Sequence, residues 1–214
     1  MPTPLTLLTS LDEVVDRAES LMTSMGGERK IVGLIGKPGA GKSTLSAQLI
    51  EQLGDQAAIL NMDGYHLSNL ALRELGRADR KGAPDTFDAL GFTEILKRVK
   101  HEVDQNIYFP VFDRSIEESI AAQGVITPEI KLVITEGNYL LHNENNWGGV
   151  KKFLDESWFI EVDDQIRIER LVNRHHKFGK SKADAHSWAT GSDENNAKIV
   201  AQTRELADVI IYLS

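Results

Sequence analysis

Cysteine is absent from all 214 residues of the sequence. Disulfide staples, thiolate-ligated zinc and thiol nucleophiles are therefore excluded, and nothing in the composition points to an oxidising compartment. Long apolar runs are missing as well. No segment approaches the roughly 20 apolar residues of a membrane span, and Met1 to Leu11 lacks the basic start and apolar stretch of a secretory signal. An excess of positive charge is also lacking: 24 Lys and Arg stand against 32 Asp and Glu, a formal net charge of −8, which argues against general affinity for nucleic acid or an anionic membrane. These absences lead to the expectation of a cytoplasmic protein whose partner is a small molecule, and they leave a homodimer open. Neither an internal repeat nor a low-complexity stretch occurs, and the length suits one domain over 1–214 rather than two.

What the sequence does contain is an alternation of short β-branched runs and helical patterns. Apolar runs stand at 31–35, 57–60, 131–135, 158–162 and 209–213. They show no polar alternation, as expected of strands buried on both faces. Helical spacing runs from Leu11 to Met25, where Gly26-Gly27 is expected to stop the helix, and recurs at Leu45, Leu49 and Leu53, at Phe92, Ile95, Leu96 and Val99, at Ile168, Leu171 and Val172, and at Ile199, Val200 and Leu206. The pattern predicts an α/β fold with a five-stranded, mostly parallel sheet and helices on both faces. Such sheets bind ligands beyond the carboxyl ends of their strands, so residues that follow strands carry the functional argument.

After the first of these runs comes Gly36-Lys37-Pro38-Gly39-Ala40-Gly41-Lys42-Ser43-Thr44, which fits G-x-x-x-x-G-K-[ST] and opens a helical pattern. The glycines Gly36, Gly39 and Gly41 let the backbone curl so that the N–H groups around Ala40 and Thr44 point at phosphate oxygens, with the helix N-terminus adding its dipole. Lys42 is expected to reach the β- and γ-phosphates, and Ser43 to ligate Mg²⁺. The guanine-reading tetrad N-K-x-D of switch proteins is absent, so ATP is the expected nucleotide.

The second run leads into Asn61-Met62-Asp63-Gly64-Tyr65-His66. Asp63 is a candidate general base for an attacking hydroxyl, although Asp-Gly also suits a plain turn. The third run leads into Glu136-Gly137-Asn138-Tyr139, where Glu136 resembles a Mg²⁺-holding acid and could equally cap the next segment. From Arg167 to Lys182 six Lys and Arg face the single acid Glu169, a local net of +5. Arg167, Arg170 and Arg174 share one helical face. That face suits a triphosphate and could also be an ordinary solvated surface. The breaks at Gly179, Lys180 and Ser181 suggest a short basic lid over about 174–192.

Together these residues resemble the family that includes phosphoribulokinase, uridine kinase and bacterial pantothenate kinase. The likeness covers most of the chain. Asp63-Gly64-Tyr65-His66 with Asn69, and then Arg80-Lys81-Gly82-Ala83-Pro84-Asp85-Thr86-Phe87-Asp88, is similar to a pantothenate kinase pattern. The same combination is similar to bacterial kinases linked by name to fructose transport. The resemblance implies that Asp63 is the catalytic base, that the Arg80 to Asp88 block lies near the acceptor, that Glu136-Gly137 lies near the metal, and that Arg170 and Arg174 are lid arginines. Two stretches depart from the patterns of the family's members: Pro110-Val111-Phe112-Asp113-Arg114 is closer to the P-x-Y-D of uridine kinases than to the pantothenate kinase stretch, and Phe178-Gly179-Lys180 lacks the R-G-R of many uridine kinases.

The expected activity is transfer of the ATP γ-phosphoryl group to a hydroxyl of a sugar, a nucleoside or a pantothenate-like metabolite, with Lys42, Asp63 and Arg174 in the chemistry. Candidate acceptor contacts besides Asp63 are Tyr65, His66, Arg80 and Lys81, with Asp113, Arg114 and Tyr139 from later segments. The competing reading is a P-loop ATPase that regulates a protein partner. It would use Lys42, Ser43 and Glu136 but leave Asp63 and the Arg80 to Asp88 block without a task.

Overall fold

Residues 5–24 and 28–213 are described by a computed structural model; the helix stop expected at Gly26-Gly27 lies outside the described residues. Strand β1 (Thr6–Leu8) leads into helix α1 (Leu11–Thr23). A capping box starts that helix: the Glu13 N–H donates to Ser10 Oγ while the Glu13 carboxylate accepts from the Ser10 N–H. Next come β2 (Lys30–Gly36), α2 (Lys42–Leu53), β3 (Ala57–Asn61), α3 (Asn69–Glu74) and α4 (Ala89–His101). The chain continues through β4 (Ile107–Asp113), β5 (Glu118–Ile126), β6 (Leu132–Gly137) and β7 (Glu156–Glu161). It ends with α5 (Asp164–Lys177), α6 (Lys182–Thr190), α7 (Ser192–Ala201) and β8 (Val209–Tyr212).

The main sheet runs β1-β8-β7-β2-β6-β3 with every neighbouring pair parallel. It has six strands, not the five expected. The extra strand, β1, is three residues long with only Leu8 buried, so no buried run marks it in the sequence. Successive residues of the inner strands point to opposite faces. Ile31, Ile35, Val133, Phe159 and Ile210 pack with α4 and α7, while Val32, Leu34, Ile134, Trp158 and Ile211 pack with α1 and α2. Two apolar faces on one strand explain why the sequence shows runs and no alternation.

Strands β2, β6 and β3 end side by side. The chain leaves β2 through α2 for β3, two places away, and leaves β6 for β7 on the other side of β2. The divergence opens a crevice at their carboxyl ends. One wall of this crevice is the separate antiparallel hairpin of β4 and β5, which the sequence patterning did not indicate. Pro110 in β4 lies so close to the turn after β3 that a Cβ on Gly64 would stand 2.1 Å from the Pro110 oxygen. Glycine is therefore required there, and it brings Arg114, next after β4, beside Asp63.

Arg29 braces the opposite end of the sheet. Its buried guanidinium donates to four carbonyl oxygens, those of Ile130, Val99, Glu102 and Thr127, at 2.9–3.2 Å. It thereby ties the last turn of α4 to the segment entering β6. Replacing Arg29 by Met should lower unfolding stability by roughly 2–4 kcal/mol, because the carbonyls lose their donors. Urea denaturation measures this; a loss below about 1 kcal/mol would mean that water replaces the guanidinium at little cost.

Candidate active site

The loop between β2 and α2 is bent by two left-handed residues, Gly39 at φ 82° and Gly41 at φ 95°. A side chain at Gly39 would strike the Arg167 backbone oxygen at 2.7 Å, so the loop is glycine-bound both by conformation and by close approach. No side chain caps the start of α2. Its first N–H groups are left facing the cleft, where an anion can satisfy them.

Beneath the loop lies a compact polar group. Ser43 Oγ donates to Glu136 Oε1 at 3.0 Å, and Ser46 Oγ donates to Oε2 at 3.1 Å. The Asn61 amide also donates to Glu136, while its carbonyl oxygen accepts from the Asp63 N–H at 2.7 Å. Burial raises the Glu136 pKa above the ordinary carboxyl value, with Lys42 and the two serines opposing that shift. Glu136 therefore does not cap the next segment: its carboxylate faces Ser43 across the crevice, inside the end of β6.

Asn61 also bears on the turn reading of Asp63. The side chain that caps the turn over Met62–Tyr65 is Asn61, so the Asp63 carboxylate takes no part in that capping. Its Oδ2 accepts from Arg114 Nη2 at 2.8 Å across the crevice. The Asp63 backbone oxygen faces His66 Nδ1 at 2.8 Å, and the His66 ring packs between Phe87 and Phe112. Burial lowers the His66 pKa.

Lys42 Nζ donates to the oxygens of Gly36 at 2.8 Å, Lys37 at 3.3 Å and Asn138 Oδ1 at 2.7 Å. Burial lowers its pKa from the usual 10.5 to about 8, with the negative charges of Glu136 and Asp63 pulling the other way. Arg170 lies against Gly41. Arg174 is also in the cleft, its pKa lowered by burial and by the like charge of Arg114. Among the described residues neither arginine has a carboxylate within ion-pair distance.

The cleft holds about 900 Å³. It brings together Gly39, Gly41, Lys42, Ser43, Thr44, Asp63, His66, Lys81, Arg114, Glu136, Arg170 and Arg174. Four sequence-derived acceptor candidates do not line it. Arg80 is held away by Asp85 at 2.9 Å and Asp79 at 3.5 Å. Asp113 folds back onto the Ser115 N–H and hydroxyl. Tyr65 packs edge-on against Phe92. Tyr139 is fully buried, its hydroxyl donating to the Gly82 oxygen at 2.6 Å. Gly36 and Ala40 lie at the back of the loop, Ala40 tied by its N–H to Lys37 at 3.0 Å.

The arginine face divides in the same way. Arg167 is wholly buried, donating to Asp164 at 2.9 Å, to Glu194 and to the Pro38 oxygen at 3.4 Å. It braces the loop from behind and is not available to a ligand. The sequence reading overlooked Asn61 and Asn138, two amides that follow buried runs at the same sheet edge as the carboxylates. It also overlooked Phe112, His175, Trp188 and Asp193 in the cleft wall.

A glycine-bent loop between a buried parallel strand and a helix, with a Ser–Glu pair beneath it and arginines on a later helix, defines a P-loop kinase fold. Residues 31–213 match the Phosphoribulokinase / Uridine kinase family, and the chain belongs to that family. It is 31% identical over 218 residues to a putative uridine kinase of Schizosaccharomyces pombe, covering 95% of this chain and 91% of that one. It is 34% identical over 201 residues to the uncharacterized protein YggC of Escherichia coli K12, covering 91% and 82%. Among solved structures, a putative fructose transport system kinase from Silicibacter sp. TM1040 superposes with a TM-score of 0.86 at 35% identity, covering 94% of this chain and 98% of that one. No helix among the described residues is long and apolar enough to cross a membrane.

Two expectations arise from this geometry. A lysine whose folded pKa lies below its unfolded value binds fewer protons when folded. The nucleotide-free protein should therefore gain stability, by roughly 3 kcal/mol, as pH rises through the window from about 8 to 10.5. Lys42→Met should remove that rise and also abolish nucleotide binding; urea titrations at pH 7 and pH 10 read the first effect. The second concerns the lid: Trp147 and Trp158 are fully buried, whereas Trp188 lines the cleft with Lys180 4.3 Å from its ring. Binding of a non-hydrolysable ATP analogue should change tryptophan emission in the wild type and not in Trp188→Phe, as expected if the lid moves over phosphates. Equal responses in the two proteins would tie the signal to the core.

Proposed function

We propose that the chain is an ATP- and Mg²⁺-dependent kinase that phosphorylates a hydroxyl of a free small metabolite, with Asp63 as general base. The observation that carries the reading is the Asp63 carboxylate, relieved of turn capping by Asn61 and set across the crevice from the phosphate loop. A bare ATPase has no need of this arrangement. The family relationship supports the same reading.

The metal fit rests on the donor set. Ser43 Oγ and the Glu136 carboxylate are hard oxygen donors in contact under the loop. No cluster of three or more His, Cys, Asp or Glu that could cage an ion occurs among the described residues. This suits Mg²⁺, which keeps most of its positions for phosphate oxygens and water. Bound there, the ion would supply charge neutralisation between the β- and γ-phosphates. The chain's own residues do the rest. The loop N–H groups, Lys42, Arg170 and Arg174 hold and neutralise the triphosphate. Asp63 accepts the proton of the acceptor hydroxyl as its oxygen bonds to the γ-phosphorus and the bond to the β-phosphate oxygen breaks, releasing ADP. A sugar, a nucleoside and a pantothenate-like molecule are the acceptor classes that this reading covers.

Acceptor-dependent ADP release over a panel of those classes is the direct assay. With an active acceptor, Asp63→Asn should keep ATP affinity while kcat falls by roughly 10²–10⁴. A loss of less than about tenfold would remove Asp63 from the chemistry. ADP release that no acceptor stimulates and that is unchanged in Asp63→Asn would favour the ATPase reading.

A further inference from the structure

Resting on the kinase reading, the charges of the cleft identify a feature of the acceptor. Lys42, Arg170 and Arg174 surround the phosphate loop and are accounted for by the triphosphate. Lys180 stands over the Trp188 ring, and the two further cations of the cleft, Lys81 and Arg114, lie at the other end. Both stand against the same aromatic ring, Lys81 Nζ 5.2 Å and Arg114 Cζ 5.8 Å from the centre of Phe112. Lys81 Nζ donates to Asn69 Oδ1 at 2.7 Å and to the Glu117 backbone oxygen at 2.5 Å. It has no carboxylate within ion-pair distance among the described residues. The acids facing it are Glu117 and Glu118, and Glu118 is turned onto the Asn69 N–H at 3.0 Å. Burial lowers the Lys81 pKa, a sign that this amine lacks a full counter-charge.

Among the described residues Arg114 has one carboxylate partner, and it is Asp63. That pair conflicts with the work assigned to Asp63. The guanidinium at 2.8 Å occupies Asp63 Oδ2, an oxygen that the acceptor hydroxyl would have to reach. The guanidinium carries five N–H donors in a planar fork, and Asp63 occupies one edge of it. A second oxyanion can compete for that fork, with Lys81 adding a further positive charge around the same ring.

We infer that the acceptor carries an oxyanion, a carboxylate or a phosphate, within a few bonds of the hydroxyl that is phosphorylated, and that Lys81 and Arg114 bind it. Arrival of the oxyanion draws Arg114 away from Asp63 and leaves the carboxylate facing the hydroxyl. A neutral polyol supplies no such exchange, so the site selects against it twice, once in binding and once in freeing the base. The short spacing follows from the direct contact between Arg114 and Asp63: whatever bridges them must present its anion and its hydroxyl close together.

The test uses matched acceptors that differ only in charge: aldonic acids against the corresponding alditols, and sugar phosphates against the free sugars, all assayed by ADP release with saturating ATP. The expected result is a kcat/KM at least about 10²-fold higher for a charged member than for its neutral partner. The carboxylate and phosphate arms show which oxyanion is preferred. Lys81→Gln and Arg114→Gln should each raise KM for the charged acceptor by roughly tenfold or more, leave the KM for ATP within about threefold, and shrink the charged-to-neutral ratio. Arg114→Lys should recover part of it. The inference is overturned if neutral acceptors equal or exceed the charged ones, if no charged acceptor stimulates ADP release, or if the variants leave the ratio unchanged. Neutral turnover that is lost in Asp63→Asn would overturn this inference while leaving the kinase reading intact, whereas no stimulation by either set would remove both.

Discussion

The Asn61 side chain is the joint on which the candidate site depends. One amide satisfies two obligations at once, accepting from the backbone N–H of Asp63 and donating to the carboxylate of Glu136. The ends of β3 and β6 are thereby locked to each other by side chains at their last backbone pairing, Asn61 with Glu136. Two carboxylates, which would repel if simply placed together, are set at a fixed separation by a neutral group. Because both halves of the amide are engaged, its orientation is determined by the network. The rest follows from this placement. Glu136 is held against Ser43 under the phosphate loop, and Asp63 is held against Arg114 at the hairpin.

The electrostatics of the cleft describe a site that lacks its ligands' charges. Burial lowers Lys42 and Arg174 and raises Glu136, so positive and negative groups alike sit where their charged forms are poorly solvated. Each disfavoured charge is one that a triphosphate, a cation or an anionic acceptor would offset. On the arginine face of α5 the residue that serves the fold shows the opposite pattern. Arg167, fully buried, is paired with Asp164 and Glu194, and its pKa is raised. Along α5, pairing with carboxylates distinguishes Arg167 from Arg170 and Arg174 more clearly than helical spacing does.

Two glycines carry the remaining geometric burden. Gly39 permits the loop to turn against the backbone of α5, and Gly64 permits the hairpin to close over the turn bearing Asp63. The first joins the phosphate loop to the helix that supplies Arg170 and Arg174. The second joins Asp63 to the strand that leads into Arg114. Both contacts bring an element distant in sequence within van der Waals reach of a residue that chemistry requires.

Much of this was legible in the residues alone. Uninterrupted apolar runs identified five of the six parallel strands because a strand buried on both faces has no polar side to show. The phosphate loop was legible because its glycines, Lys42 and Ser43 answer to local backbone geometry, which spacing encodes. Asp63 and Glu136 were legible by position, as carboxylates that follow buried runs. The short edge strand was not, since two of its three residues are exposed. Nor was the division of labour among polar side chains of similar type. Arg167, Arg170 and Arg174 share one face by periodicity, yet one braces the loop and two face the cleft. Arg80, Asp113, Tyr65 and Tyr139 stand in plausible segments, yet each is claimed by a neighbour within the fold. Such outcomes depend on which partner lies within about 3 Å, and that distance is decided by packing between segments far apart in the chain. Spacing determined which residues stand at the sheet edge; the tertiary structure alone decided which of them remain free to meet a ligand, because a hydrogen bond already satisfied within the protein is no longer available to one.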